Sequence, residues 1–164
     1  MTKLTIVLGL FIFSTTSFGQ ALTVGAKKKL LTTKYTGTYC YGVEVEKTRI
    51  GTIIIYPETD STILFCIDLN RGAPSYNMGF DYGRVRIIND TGTYYTKEDG
   101  EDKGCKWSIQ FIKNTLVIKT IDNQDNCGFG YGVYAAGTFI RTSKKLTAYF
   151  ENQEGTKIYF KDVK

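Results

Sequence analysis

Four cysteines, Cys40, Cys66, Cys105 and Cys127, are the residues of this chain with the clearest chemistry. The sequence contains no histidine and no Cys-x-x-Cys spacing, so the usual zinc ligand sets and the usual redox motif are missing. Without histidine, Ser-His-Asp and Cys-His nucleophilic catalysis are also excluded. The sequence therefore predicts no catalytic residue, no metal site and no cofactor.

An even number of cysteines favours two disulfides in an oxidising compartment. Cys105 and Cys127 alternate in phase with apolar and aromatic residues, whereas Cys40 and Cys66 alternate in phase with acidic ones. Bonded cysteines must face each other, with Cβ atoms about 4 Å apart. Of the three possible connectivities, the pairing Cys40–Cys66 with Cys105–Cys127 is therefore predicted.

The N-terminal residues have the anatomy of a secretory signal peptide. Lys3 precedes an apolar run from Leu4 to Phe13, and small or polar residues follow. Cleavage before Gln20 or after Ala21 satisfies the small-residue rule equally well. The apolar run is about half of the roughly 20 residues that a membrane helix needs, so no membrane span is predicted. We expect an exported protein, located in the periplasm or outside the cell.

The elements that must position any site are β-strands. From residue 35 onward, short runs of alternating apolar and polar residues are broken by turn residues. In the clearest run, residues 105–112, Trp107, Ile109 and Phe111 point to one face. Strands are predicted at 35–46, 50–56, 62–69, 84–88, 92–96, 105–112, 116–121, 128–140, 146–150 and 157–160.

These strands predict an all-β domain. Their links are short and contain no helical crossover, which indicates an antiparallel meander of eight to ten strands. Such a sheet must close or double over to protect its edges, so a lipocalin-like barrel is favoured, with a β-sandwich as the alternative. The domain boundaries that follow are a signal peptide at 1–19, a polar leader segment at 20–34 and one barrel domain at 35–164.

The formal net charge of +5 does not indicate nucleic-acid binding. Proteins that bind nucleic acid concentrate their basic residues on one face, whereas here they are spread along the chain. No nucleic-acid partner is therefore predicted.

The longest predicted connection is the segment from Asn70 to Gly79, which contains several bend-forming residues. Loops held by a rigid sheet are where binding residues tend to lie, and Arg and Tyr are common contact anchors. The candidate binding residues are Arg71, Pro74, Ser75, Tyr76, Asn77 and Met78.

A glycine-rich segment precedes the predicted end of the domain. Residues 128, 130 and 132 are glycines that alternate with aromatic residues, which favours a strand over a phosphate-binding loop. On one face of that strand, the glycines would leave room for a crossing backbone, a large side chain or a ligand.

Residues 62–141 resemble small exported bacterial proteins of uncharacterised function, through Arg71-Gly-Ala-Pro-Ser-Tyr-Asn77, Cys105, Cys127-Gly-Phe-Gly130 and Gly137-Thr-Phe139. The architecture is also similar to lipocalin-like barrels and, more loosely, to periplasmic lysozyme inhibitors built on small β-barrels. Those inhibitors use a Ser-Gly-x-x-Tyr loop. The corresponding string here, Thr91-Gly-Thr-Tyr-Tyr95, has threonine for serine within a predicted strand, so no inhibitory residue is carried over.

Three functional hypotheses follow. The first is a non-enzymatic binding or inhibitor-type module that contacts an unknown protein through the 70–79 loop. The alternative is a carrier in which aromatic residues line a cavity for a small apolar ligand. The third is a hydrolase that pairs Asp68 with Asp81, the two acids that flank the long loop.

Overall fold

The computed structural model describes residues 29–42, 48–97 and 100–164. The predicted signal peptide (1–19) and most of the predicted leader segment (20–34) lie outside the described residues. The end of that leader forms a 3-10 helix, Leu31–Tyr35, and two others are Gln124–Asn126 and Phe160–Asp162. None of the helical segments described here has the length and apolar character needed to cross a bilayer.

The described residues form ten strands, all paired antiparallel, which confirms the predicted all-β fold. Eight of them pair in chain order and close into a barrel through contact between the first and the eighth, and the last two form a separate hairpin. The strands are β1 Gly37–Tyr41, β2 Ile50–Pro57, β3 Thr62–Asn70, β4 Met78–Ile88, β5 Thr91–Thr96, β6 Cys105–Ile112, β7 Thr115–Asp122, β8 Gly137–Ser143, β9 Tyr149–Glu151 and β10 Lys157–Tyr159.

The predicted strand at 128–140 is wrong for residues 128–136. Residues 127–136 form an irregular loop, and β8 begins only at Gly137. Gly128 and Gly132 adopt φ angles of 73° and 72°, a left-handed conformation that interrupts an extended chain. The predicted strand 84–88 also begins earlier, at Met78. Part of the predicted strand 35–46 lies outside the described residues.

Large side chains from the barrel wall fill the interior. Trp107 is fully buried, with its ring centroid 5.1 Å from Tyr94, 5.8 Å from Phe129 and 6.1 Å from Phe65. An eight-stranded barrel has an interior just wide enough for such side chains. The two-residue period therefore produces a packed core inside the wall.

One strand is buried on both faces. The uninterrupted apolar run in β3 sends Ile63 and Phe65 into the barrel and turns Leu64 and Cys66 outward. The outward pair is covered by the β9–β10 hairpin and the C-terminal 3-10 helix, which contribute Phe150, Phe160, Val163 and Ile158. The hairpin thus removes from water an outer face that would otherwise be apolar and exposed.

Antiparallel order places the connections alternately at two ends of the barrel. The loop end carries the connections that follow β1, β3, β5 and β7, among them residues 71–77 and 123–136. The opposite end is named here the hairpin end, after the short hairpin turns of the barrel strands at 58–61, 89–90 and 113–114. The 3-10 helix Leu31–Tyr35 closes this end. Tyr35 stacks on Phe111 there, with ring centroids 4.2 Å apart.

The disulfide prediction is half right. Cys105 and Cys127 are bonded, with Cα atoms 4.9 Å apart, but Cys40 and Cys66 are free thiols. The strand β2 separates them, and the register aligns Cys40 with Thr52 and Asp68, two residues from Cys66. Two strand spacings amount to about 10 Å, beyond the roughly 7 Å that a disulfide can bridge. That both side chains point to the same face of the sheet was therefore insufficient to predict a Cys40–Cys66 bond.

A thiol titration tests this assignment. We expect two thiols per chain in protein denatured without reductant. Cys40, which is half-buried, should react in the native state, whereas Cys66 should react only on unfolding. Burial, followed by the nearby charges of Asp68 and Asp81, raises the pKa of the Cys66 thiol and so suppresses its reactive thiolate. A Cys40→Ser variant should lose the native signal, and finding no thiols after denaturation would contradict the assignment.

Candidate functional site

The 71–77 loop is compact because its own backbone closes it. The Tyr76 N–H donates to the Gly72 carbonyl at 2.9 Å, and the Arg71 N–H donates to the Asn77 carbonyl at 2.9 Å. The Asn70 side chain accepts from the Gly72 N–H at 2.7 Å. These bonds turn a sequence of bend-forming residues into an ordered cap at the end of β3 and β4.

The cap is joined to the 123–136 loop through one carbonyl group. The Tyr131 carbonyl accepts hydrogen bonds from Asn77 Nδ2 at 2.7 Å and from Arg71 Nη1 at 3.3 Å. Beside it, the Gly130 N–H donates to the Met78 carbonyl at 2.9 Å. The two loops therefore form one unit, named here the loop platform: residues 71–78 and 127–135.

Two glycines permit this close approach. A Cβ on Gly132 would lie 2.7 Å from Arg71 Nη1, and a Cβ on Gly130 would lie 3.0 Å from the Met78 carbonyl oxygen. The glycine-rich segment thus accepts a crossing backbone and a large side chain, although it is a loop and not a strand.

The loop platform is anchored in the barrel core. The disulfide fixes Cys127 to the start of β6, and the side chains of Val133 and Ala135 are buried. Phe129 packs against Trp107 at the core centre. The exposed residues of the loop platform are therefore held in place by the packing of the barrel core.

Three large side chains of the loop platform remain exposed to solvent. The exposed fraction is 85% for Tyr131, 46% for Tyr76 and 44% for Met78. Of these three, Tyr131 lines a cavity of about 530 Å³, whose walls also include Phe129, Val133, Tyr134 and Asp125. This combination of exposed aromatic groups and a concave surface is what a binding site requires.

The predicted binding residues divide into two groups. Pro74, Ser75, Tyr76 and Met78 are exposed, as candidate contact residues should be. Arg71 and Asn77 use their side chains to hold Tyr131, so they position the site. Tyr131 itself was missed because the alternating glycines and aromatics placed it in a strand.

The acids considered for hydrolysis do not form a pair. Asp68 on β3 faces outward, whereas Asp81 on β4 faces into the barrel. The described residues also contain no cluster of three carboxylate or cysteine side chains placed to hold a metal ion. The structure therefore does not bring these two carboxylates together.

Asp81 occupies a weak seam of the barrel. The strands β4 and β5 pair only through Ile87 with Gly92 and Ile88 with Thr91. Farther along, side chains and not backbone pairs join the two strands. Asp81 Oδ1 accepts from the Tyr94 hydroxyl at 3.3 Å, while Oδ2 is buried and has no hydrogen-bond partner among the described residues.

Burial raises the pKa of the Asp81 carboxyl to about 6, although hydrogen bonds from Tyr82, Thr96 and Tyr94 oppose the shift. Burial, and next the charge of Asp81, also raises the pKa of the Tyr94 hydroxyl. The Thr91–Tyr95 string that resembles an inhibitor loop thus lies within β5 and supplies Tyr94 to the interior.

The Asp81 carboxyl should make stability depend on pH. A folded-state pKa above the unfolded value favours the protonated form in the fold. The stabilisation is therefore complete below about pH 4 and is lost as the pH rises through about 6. The pKa difference from 3.8 to about 6 corresponds to an upper limit of about 3 kcal/mol. We expect the free energy of unfolding of the wild type, relative to Asp81→Asn, to fall by up to that amount, as measured by urea titration at several pH values.

A second variant distinguishes the titration of Asp81 from that of the other carboxyl groups. Tyr94→Phe removes a hydrogen bond that lowers the pKa of Asp81, so the transition should move to higher pH. If Asp81→Asn and the wild type show parallel pH profiles, the seam carboxyl does not titrate as described.

Comparison with known proteins gives no relative for this chain. No family model, no curated protein and no solved structure matches it.

Proposed function

We propose that this chain is an exported, non-enzymatic binding or inhibitor-type module that engages a partner protein through the loop platform. The observation that carries the proposal is Tyr131, a tyrosine with 85% of its side chain exposed. Its own carbonyl is fixed by Arg71 and Asn77 from the neighbouring loop. A large aromatic side chain on an ordered backbone is a typical binding anchor.

Pre-organisation supports this function. Binding costs free energy whenever loops must be ordered, and a rigid loop has already met that cost during folding. Here the disulfide at Cys127 and the buried side chains of Val133 and Ala135 hold the loop before any partner arrives. The exposed groups of Tyr76 and Met78 extend the contact surface across the second loop.

The adjoining cavity suggests how a partner docks. Its volume of about 530 Å³ falls within the range of ligand pockets, and Phe129 and Val133 supply apolar walls. A partner side chain of apolar character would bury itself there while Tyr131 packs against the surrounding surface. The recognised feature is then a protruding side chain.

Export is part of the proposal. The signal-peptide pattern of residues 1–19 and the Cys105–Cys127 disulfide both favour a protein that works in an oxidising compartment. The carrier alternative receives less support, because packed side chains such as Trp107 and Phe65 fill the barrel interior.

A capture experiment tests the loop platform. Folded, oxidised protein is immobilised and exposed to the exported fraction of its native cells, and retained proteins are identified by mass spectrometry. Tyr131→Ala should weaken the affinity for the specific partner at least about thirtyfold, since aromatic hot-spot residues contribute about 2 kcal/mol or more. Affinity is then measured by calorimetry with the purified partner.

Tyr159→Ala provides the matched control. That tyrosine is 45% exposed but belongs to the outer hairpin strand β10. The control should retain the partner fully, and both variants should keep the melting temperature within a few degrees, because Tyr131 is largely solvated and Tyr159 is about half exposed. Equal retention by wild type and Tyr131→Ala would contradict a binding role for the platform.

A further inference from the structure

A second cavity lies at the opposite end of the barrel, far along the strands from the loop platform. It encloses about 410 Å³ where the 3-10 helix Leu31–Tyr35 meets the end of β8. Four of the residues that line it are cationic: Lys29, Lys34, Arg141 and Lys144. We propose that this cavity, named here the hairpin-end pocket, binds the phosphate group of a phosphomonoester.

The charge of the hairpin-end pocket is mostly uncompensated. Lys34 is paired with Asp90 at 2.6 Å. Among the described residues, no carboxylate pairs with Lys29 or Lys144, and no acid lines the pocket. Three positive charges without a partner match a dianion better than a single carboxylate, which is why a phosphate is the expected occupant.

Arg141 is held in place by the fold and retains donor capacity. Its Nε donates to the Tyr39 hydroxyl at 2.8 Å, and its Nη2 donates to the Lys34 carbonyl at 2.8 Å. Among the described residues, Nη1 has no hydrogen-bond acceptor. A fixed guanidinium with this nitrogen free is well suited to bind a phosphate oxygen, because its orientation costs no further entropy.

Thr36 gives independent support. It lines the hairpin-end pocket with only 5% of its surface exposed, and its hydroxyl group has no hydrogen-bond partner in the part of the chain that the structure describes. Buried hydroxyl groups in folded proteins are nearly always hydrogen-bonded, since leaving one unpaired is costly. A phosphate oxygen in the pocket would supply the acceptor that the Thr36 hydroxyl lacks.

The surroundings indicate a polar organic portion of the ligand. A smaller cavity of about 140 Å³ shares Arg141 and Lys144 with the hairpin-end pocket and adds Asn114, Thr142 and Ser143. Amide and hydroxyl groups of this kind bind the hydroxyls of a small phosphorylated molecule. The phosphate would lie among the cations, with its organic portion toward this polar extension.

Titration calorimetry with inorganic phosphate tests the proposal on the folded protein. The wild type should bind phosphate, and binding should weaken about tenfold in Lys144→Ala, which removes a cationic group, and in Thr36→Val, which removes a hydroxyl donor. Lys144 lies beyond the end of β8 and is exposed, and the Thr36 hydroxyl has no partner to lose, so both variants should fold. Circular dichroism checks this.

Lys119→Ala is the matched control, because it removes an exposed lysine from the outer face of β7. It should bind phosphate as the wild type does. Competition by vesicles that contain phosphatidic acid, but not by phosphatidylcholine alone, would identify a lipid headgroup as the source. If these vesicles do not compete, the source is a soluble phosphomonoester. No phosphate binding by the wild type, or equal binding by wild type and Lys144→Ala, would overturn the proposal.

Discussion

The interior space of a closed eight-stranded barrel limits where this protein can bind anything. Strands of this number enclose only enough room for their own inward side chains, and here Trp107, Phe65 and Phe139 occupy it. The wall is also covered outside β3 by the β9–β10 hairpin. The side chains that do not pack in the core and can contact a partner or ligand are therefore concentrated at the two ends of the barrel.

The two ends differ because the chain treats them differently. At the loop end, long connections meet, and hydrogen bonds to the Tyr131 carbonyl fuse two of them into a platform with exposed aromatic groups. At the hairpin end, the turns are short, and the 3-10 helix Leu31–Tyr35 closes the barrel by stacking Tyr35 on Phe111. One end therefore offers apolar contact area and the other offers positive charge.

The seam between β4 and β5 is the exception to the packed interior. Only two residue pairs hold it, and Asp81 enters the core there between Gly79 and Gly83. Both glycines are needed, because a Cβ on either one would lie 2.7 Å from an aromatic ring atom of Phe129 or Tyr94. A carboxylate replaces apolar packing at the point where the backbone ladder is shortest.

The sequence by itself determined the fold class, most strand positions and the Cys105–Cys127 bond, because side-chain alternation and turn residues act locally. It also predicted the 70–79 loop as a candidate binding segment. It could not place Tyr131, because glycine–aromatic alternation looks the same in a strand and in a folded loop.

Only the tertiary structure separated Cys40 from Cys66, turned Asp68 and Asp81 to opposite faces, and gathered Lys29, Arg141 and Lys144 around one pocket. Those outcomes depend on strand register and on barrel closure. Neither is encoded in any short stretch of the chain, since both join residues that lie far apart along it.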